Sequence, residues 1–484
     1  MDFIHKRLDS WKNYNFLFAA MKNLLLYIVI IVFYGCEIKQ FDDKPNILMI
    51  CIDDLNDWIG FYDGHPNSKT PNIDVLANES IVFMNTYAQA PVCIPSRTSI
   101  LTGLRPSTSG SYKSHPKTDK ELMKLSKKNN TYLLHEYFKN HEYINIGIGK
   151  ISHKHMPKNI LDISGGRGGG PRGFGPRSKD IPYFNWHGQG SKERSQTDWA
   201  AFPESDSLMP DYFSAKWIKK RLNEYHESPF FMTVGFLRPH VPWYVPQKWF
   251  DMHPLDSIQL PPYYENDLDD LPDSALLNTY IKDQFPTTEW AIKNNKWKNI
   301  IQAYLASVSF VDFYVGEVIN ALKNSNYQNN TIIILWSDHG YRLGEKGIFA
   351  KHGLWDEAIK VPLIIKPVGL KKGFKVHQNV ELLDIYPTLI EMADLPPNKK
   401  NEGKSLVPLF VNDTLIKHKK YVLSTYGRDN HSITSENFKY ILYSDGGEEL
   451  YDLKDDPNSW FNLASNNDYN EIKMRLKNYI PIKP

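Results

Sequence analysis

Three stretches of the chain are almost unbroken in apolar residues for about the length of one strand: Asn46–Ile52 (Asn-Ile-Leu-Met-Ile-Cys-Ile), Phe230–Phe236 and Ile332–Trp336. Runs without polar alternation predict strands covered on both faces, as in a parallel sheet between layers of helices. Each run stops in polar residues: Asp53-Asp54 after the first, Leu237-Arg238-Pro239-His240 after the second, Ser337-Asp338-His339-Gly340 after the third. The carboxyl ends of strands are the ligand-binding edge of an open α/β sheet, so these residues are the first candidates for a site. Helical periodicity lies between the strands, over 96–102, 131–138, 212–225, 297–322 and 382–392. The alternation predicts an α/β fold, a large mixed and mostly parallel sheet sandwiched by helices.

Past Lys404-Ser-Leu-Val-Pro-Leu-Phe410 the pattern changes to short strand signals at 421–425 and 440–443, with Gly446-Gly447 as a turn. A main domain is therefore expected over 44–414, followed over 415–484 by a small α+β subdomain built on a short antiparallel sheet. The Gly- and Pro-rich stretch Gly165–Arg177 sustains neither helix nor strand and reads as a mobile loop. Its Arg167, Arg172 and Arg177 are able to touch an anionic ligand, but a solvated insertion is the simpler reading.

Residues 1–36 read as an address. The ten apolar residues 24–33 follow Met21-Lys22-Asn23 and fall short of the roughly 20 that span a bilayer as a helix. A short apolar core behind a basic residue reads as a secretory signal. Gly35 before Cys36 resembles a bacterial lipoprotein cleavage box, which makes Cys36 a candidate for lipidation; a plain cleaved signal and a retained anchor helix are the alternatives. Met21 is a more natural start than Met1, because residues 1–20 push the apolar run too far inward. The expectation is an exported protein, periplasmic, anchored in the outer membrane of a Gram-negative cell, or secreted.

Composition narrows the classes. With 57 Lys and Arg against 55 Asp and Glu among 484 residues, the net charge is +2, which gives no global field for gripping nucleic acid. An anionic ligand has to be held by a local cluster. Gly (28) and Pro (31) are too few for a low-complexity chain. The three cysteines, Cys36, Cys51 and Cys93, lie in unrelated settings and predict no disulfide.

The densest chemistry lies in Cys93-Ile-Pro-Ser-Arg97-Thr-Ser-Ile-Leu-Thr-Gly103. Pro95 and Ser96 suit the first turn of a helix, which puts Cys93 at its positive end and projects Arg97 beside the thiol. An electrophilic anion there meets helix N–H groups, a guanidinium and a nucleophile together; taken alone, the cysteine is equally a structural thiol near a capped helix. Asp53, Asp54, Asp338 and His339 come from two strand ends and converge only if those strands are neighbours, in which case their oxygens suit a hard divalent cation. Taken alone, Asp-Asp after a strand is an ordinary turn or cap.

The eleven-residue segment matches the signature of type I sulfatases, Cys-x-Pro-Ser-Arg followed by Leu-Thr-Gly. The resemblance extends in order through Asp53-Asp54, Thr70-Pro-Asn-Ile-Asp74, Leu104-Arg-Pro106, Ser337-Asp-His-Gly340, Lys351-His352 and the carboxyl-terminal segment Glu449–Asn458. Asp53-Asp-Leu-Asn-Asp-Trp58, Gly149-Lys-Ile-Ser-His153 and Arg238-Pro-His-Val-Pro242 resemble the iduronate-2-sulfatase branch and its bacterial polysaccharide relatives most. The resemblance implies the alkaline phosphatase-like fold and oxidation of Cys93 to formylglycine (3-oxoalanine) by a formylglycine-generating or anaerobic sulfatase-maturating enzyme. A hydrated aldehyde carries two hydroxyls on one carbon: one attacks sulfur, and deprotonation of the other then expels sulfate, so the nucleophile regenerates itself.

The resemblance further implies Ca2+, or Mg2+, on Asp53, Asp54, Cys93, Asp338 and His339, the last replacing an Asn found in many sulfatases. By the same likeness Lys150 and Lys351 hold the sulfate, Arg97 braces the formylglycine, His153 assists the nucleophile, His240 protonates the leaving alcohol and His352 contacts substrate. The expected substrate is a sulfated, uronate-bearing polysaccharide or oligosaccharide of glycosaminoglycan or ulvan type. The competing readings are a phosphoester or phosphonate hydrolase of the same superfamily and a non-catalytic protein that binds sulfated glycans. No nucleic-acid partner is expected, and contact with a membrane only through the lipid anchor.

Overall fold

A computed structural model describes residues 44–481, apart from 113–114, 169–182, 187, 189–196, 280–283, 412–415 and 417. The signal segment with Cys36, most of the Gly-rich stretch including Arg172 and Arg177, and the expected boundary at 414/415 lie outside the described residues. Pro45–Pro484 is one compact unit.

The strands are β1 (Asn46–Asp53), β2 (Ile81–Tyr87), β3 (Ile144–Gly149), β4 (Ile163–Ser164), β5 (Trp199–Ala201), β6 (Phe230–Pro239), β7 (Trp243–Val245), β8 (Thr331–Ser337), β9 (Lys360–Lys366), β10 (Phe374–Glu381), β11 (Val422–Thr425), β12 (His431–Thr434), β13 (Phe438–Leu442) and β14 (Glu448–Asp452). Eight of them form one sheet in the order β10-β2-β9-β8-β1-β6-β3-β4. All neighbours pair in parallel except β9, which is antiparallel to both β2 and β8. The sheet is mixed and mostly parallel, as expected.

β1 shows why its run has no polar alternation. Leu48, Ile50 and Ile52 enter one core together with the long helix Trp297–Lys323, while Ile47, Met49 and Cys51 enter the other, against the helix Ile385–Met392. Successive side chains point to opposite faces, and both faces are dry. The Trp297–Lys323 helix is apolar and long enough to cross a membrane, yet 78% of its most apolar window is buried inside this fold.

β11 to β14 form a separate four-stranded antiparallel sheet with the helix Asn470–Lys477 beside it. β12 carried no signal recognised in the sequence. Two buried carboxylates fasten this sheet to the rest. Glu381, at the end of β10, takes both terminal nitrogens of Arg105 at 2.7 Å, the ammonium of Lys419, and the backbone N–H of Leu423 at 3.1 Å. Glu449 in β14 accepts from the Trp355 indole at 2.9 Å and from the hydroxyls of Tyr443 (2.6 Å) and Tyr451 (2.5 Å).

Candidate active site

The central strands deliver their polar ends to one place. β1 lies between β6 and β8 with Ile52 opposite Ser337, so Asp53-Asp54, the turn after β6 and Asp338-His339 are adjacent because the strands are. The helix Cys93–Thr102 starts two residues earlier than the first-turn residues suggested, with Cys93 as its first residue. Ser96 Oγ donates to Asp338 O and pins that start to the end of β8. Lys150 arrives by close approach: Gly149 has φ +85°, and a Cβ on it would lie 2.0 Å from Gly235 O. Without side chains at either glycine, Lys150 N reaches Gly235 O at 2.9 Å.

Cys93 Sγ is the centre of the cluster. Lys351 Nζ lies 3.1 Å from it, His339 Nε2 3.2 Å and Lys150 Nζ 3.4 Å, and half-buried His153 acts on it as well. Burial opposes ionisation of the thiol, but Lys150, Lys351 and His339 overcome it and hold Cys93 well below the ordinary thiol range. Cys51 is the control: burial pushes it up to about 12.

Arg97 is fully buried and spends its guanidinium on the protein. Nε donates to Asp338 Oδ2 at 2.8 Å, Nη2 to Asp53 Oδ1 at 3.2 Å, and Nη1 to the carbonyls of Lys150 and Ile151. Burial works against its charge, but Asp338 and Asp53 keep it protonated. Arg97 thereby fixes two carboxylates from different strands. Lys150 Nζ also donates to Asp53 Oδ2, and Lys351 Nζ to Asp54 Oδ1 at 2.8 Å. Burial raises Asp338 to about 6, and His339, despite burial, is held up at about 9 by Asp338.

The donor set fits a hard cation. One ligand atom each from Asp53, Cys93, Asp338 and His339 lie within 4.8 Å of one another, as do those of Asp53, Asp54, Cys93 and His240. Asp54 Oδ2 is buried and accepts no hydrogen bond, a state that a bound cation relieves. Three carboxylates in one dry pocket supply the oxygens that Ca2+ or Mg2+ prefers.

His240 follows β6 with its Nε2 3.9 Å from Asp54 Oδ2, and Arg238 Nη1 donates to its carbonyl at 2.9 Å. His352 does not join the group on Cys93. Its Nδ1 pairs with Tyr426 OH at 3.1 Å and its ring packs by Phe285, so it links the site to the carboxyl-terminal sheet. Tyr304 escaped the sequence reading, and Arg167, read there only as a candidate anion contact, has a further role. Tyr304, on the long helix, hydrogen-bonds through its hydroxyl to Asp54 O (2.9 Å), Asn56 N (3.0 Å) and Asn56 Oδ1 (3.0 Å). Arg167 Nη1 donates to the carbonyls of His153 and Lys154; the Gly-rich composition around it hid this role.

A thiol held low in pKa, carboxylates that fit a hard cation and two lysines beside them at the carboxyl edge of an α/β sheet suit an ester hydrolase acting on an anionic group. The sulfatase family model matches residues 45–395, and the model described as N-sulphoglucosamine sulphohydrolase, C-terminal, matches 344–482. The chain is 46% identical over 457 residues to a sulfatase of Formosa agariphila, covering 92% of this chain and 88% of that one. To iduronate 2-sulfatase of Mus musculus it is 31% identical over 398 residues, 73% of this chain and 69% of the other. A solved 2-O GAG sulfatase superposes with a TM-score of 0.66 at 22% identity, covering 90% of each chain. The chain belongs to the sulfatase family, as a sulfuric ester hydrolase with relatives of the iduronate 2-sulfatase type.

Proposed function

We propose that the protein hydrolyses O-sulfate esters of a sulfated, uronate-containing polysaccharide or oligosaccharide, of glycosaminoglycan or ulvan type, with residue 93 as formylglycine and Ca2+ on Asp53, Asp54, Asp338 and His339. The observation that carries this reading is the ring of Lys150, His153, His339 and Lys351 around the buried Cys93 sulfur. The named activity of the mouse relative, iduronate 2-sulfatase, supports a uronate-bearing substrate. The Cys93 thiol stands where the formylglycine oxygens would be. Once in place, formylglycine supplies a hydrated-aldehyde nucleophile, and the cation polarises sulfate oxygens and lowers the pKa of the attacking hydroxyl.

The chain's own groups do the rest. Lys150 and Lys351, on opposite aspartates and both against Sγ, bind the sulfate oxygens. Arg97 orients Asp53 and Asp338 and touches no substrate. Burial lowers His153 below its ordinary value, so it is neutral near pH 7 and able to accept the nucleophile's proton. His240 hands a proton to the departing sugar oxygen as the S–O bond breaks, releasing it as the hydroxyl, a contribution of roughly 100- to 10,000-fold.

The test is sulfate release from a panel of defined sulfated oligosaccharides, with the desulfated position assigned by NMR and the conversion of Cys93 followed by intact mass. Cys93→Ala and Cys93→Ser are expected to fold and release no sulfate. Turnover of an aryl phosphate exceeding that of the aryl sulfate by orders of magnitude assigns the site to phosphoester chemistry instead. A fully active enzyme whose Cys93 is unconverted removes the proposed nucleophile. The signal-like residues 21–36 further support export with lipidation at Cys36 and maturation by a formylglycine-generating or anaerobic maturating enzyme. Loss of radiolabelled fatty acid from the protein on Cys36→Ser tests the anchor.

A further inference from the structure

A second cleft, of about 840 Å3, lies away from the Cys93 centre, along the outer edge of the main sheet. Its walls come from β10, from the segment leading into β11, from the turn between β12 and β13, and from the helix Asn470–Lys477. The volume is that of a ligand cleft rather than a packing defect. In sheet order β10 is four strands from β1, so the cleft stands on the order of 20 Å from the catalytic edge, at about 4.8 Å per strand.

Its lining is one-sided in charge. Lys375, His377, Lys420 and Arg475 line it against a single carboxylate that is not already committed, Glu436. Lys419 and His418 also line it, but both are engaged with Asp384, and Lys419 with Glu381 as well. Among the described residues no carboxylate pairs with Lys375, Lys420 or Arg475. Lys375 donates to Phe61 O at 3.4 Å and rests over that ring, which lies outside the cleft, while Lys420 lies over Tyr421 and, like Arg475, is exposed. In a chain whose net charge is only +2, this concentration of cations without a carboxylate partner among the described residues is local.

The cleft also has flat apolar walls. Phe374, Tyr421 and Phe438 line it half-buried, and Tyr421 is braced from behind by Tyr479 at 3.9 Å between centroids. The Tyr421 hydroxyl is buried and makes no hydrogen bond, so the residue offers the cleft its ring rather than its polar end. Cations for acidic groups and ring faces for the C–H faces of sugars are the recognition set for an anionic glycan.

From this geometry we propose that the cleft between β10 and the carboxyl-terminal sheet is an anchoring site for a sulfated glycan chain, distinct from the catalytic centre. The proposal rests on the sulfated-polysaccharide reading above for the identity of the ligand, not for the existence of the site. Only a chain of several sugars reaches both places; a short substrate occupies the catalytic centre alone. Anchoring one stretch of the polymer raises the local concentration of the rest at Cys93.

The test is the double variant Lys420→Glu, Arg475→Glu, both exposed positions outside the catalytic machinery. Binding of a heparin octasaccharide is measured by calorimetry, with a heparin disaccharide and chemically desulfated heparin as controls, and KM is measured on sulfated polymer and on an aryl sulfate. The expected result is a rise of about tenfold in KM for the polymer, from the loss of two partly exposed charge contacts, with kcat and the aryl sulfate kinetics unchanged. Octasaccharide binding weakens equally and, in the wild type, falls with added salt. Tyr421→Ala gives a similar loss without altering charge.

An unchanged polymer KM and octasaccharide affinity in both variants overturns the proposal, as does equal binding of desulfated heparin or of poly-glutamate. If the wild type binds the octasaccharide through this cleft but releases sulfate from nothing in the panel, the cleft stands and the catalytic reading fails. If aryl sulfate is cleaved while the double variant handles polymer like the wild type, the reverse holds.

Discussion

Removing one oxygen atom from the long helix tests how the cation-binding edge is held. In Tyr304→Phe the ring keeps its edge contacts with Trp58 and Trp243, at 5.7 and 5.9 Å between centroids, and only the hydroxyl is lost. That hydroxyl donates to Asp54 O and accepts from Asn56 N. It holds a turn in which Asp54 has φ +62°, a conformation that costs a non-glycine residue of order 1–3 kcal/mol and persists only when its surroundings impose it. The variant strands a buried carbonyl and a buried N–H, each worth about 1–3 kcal/mol, so the expected loss is about 2–6 kcal/mol if the turn stays and less if it relaxes.

Relaxation has its own signature, because it moves the Asp54 carboxylate. Urea denaturation gives the stability, calorimetric titration with Ca2+ gives the affinity, and intact mass reports conversion of Cys93. The expected outcome is a destabilised protein with normal conversion, weaker Ca2+ binding and a lower kcat with KM nearly unchanged. A stability loss under about 0.5 kcal/mol together with wild-type Ca2+ affinity refutes the claim that Tyr304 positions Asp54.

Other outcomes follow from buried charge and burial alone. Glu381→Gln leaves Arg105 and Lys419 short of their shared partner and should cost about 3–5 kcal/mol in denaturation. Despite burial, Arg105 and Lys419 hold the Glu381 carboxyl below its ordinary 4.5, so its contribution is complete above that pH and lost as pH falls, and the variant should lack that acid-induced step. Burial lowers His135 to about 3 from 6.5; the unfolded chain takes up the proton first, so stability should fall as pH drops from 6.5 toward 3, with a shallower slope in His135→Gln. In enzyme produced without maturation, iodoacetamide at neutral pH should label Cys93, whose thiol is held well below its ordinary range, and spare Cys51, pushed up to about 12, as peptide mass mapping will show; labelling of Cys51 in preference to Cys93 in folded protein would contradict that difference.

Much of the site was legible because its residues are local to strand ends. β1, β6 and β8 announce themselves by apolar runs dry on both faces, and the polar residues that end them can only lie at the sheet edge. Neighbourhood was the missing step: nothing in Asp53-Asp54 or Asp338-His339 says that β8 pairs with β1, and only the convergence of both with the Cys93 motif made it expected. The reversal of β9, by contrast, is decided by how loops far apart in sequence close, and its residues read like those of its parallel neighbours. Tyr304 and Glu381 were invisible for the same reason. A tyrosine on an apolar helix and a glutamate at a strand end carry no local mark of partners some 250 or 276 positions away. His352 shows the limit of reading adjacency: it follows Lys351 directly, yet at φ +62° its ring pairs with Tyr426 rather than with the group around Cys93.

The Glu449 clasp bears on when the enzyme becomes whole during synthesis. Trp355, only a few positions beyond Lys351, is gripped by Glu449, and Lys346, just before it, is tied to Asp267 and to the carbonyl of Ser459. The loop that brings the Lys351 ammonium beside Cys93 thus closes only once the last strand is in place. A chain stopped before that strand would carry every residue of the centre and still lack the means to close it.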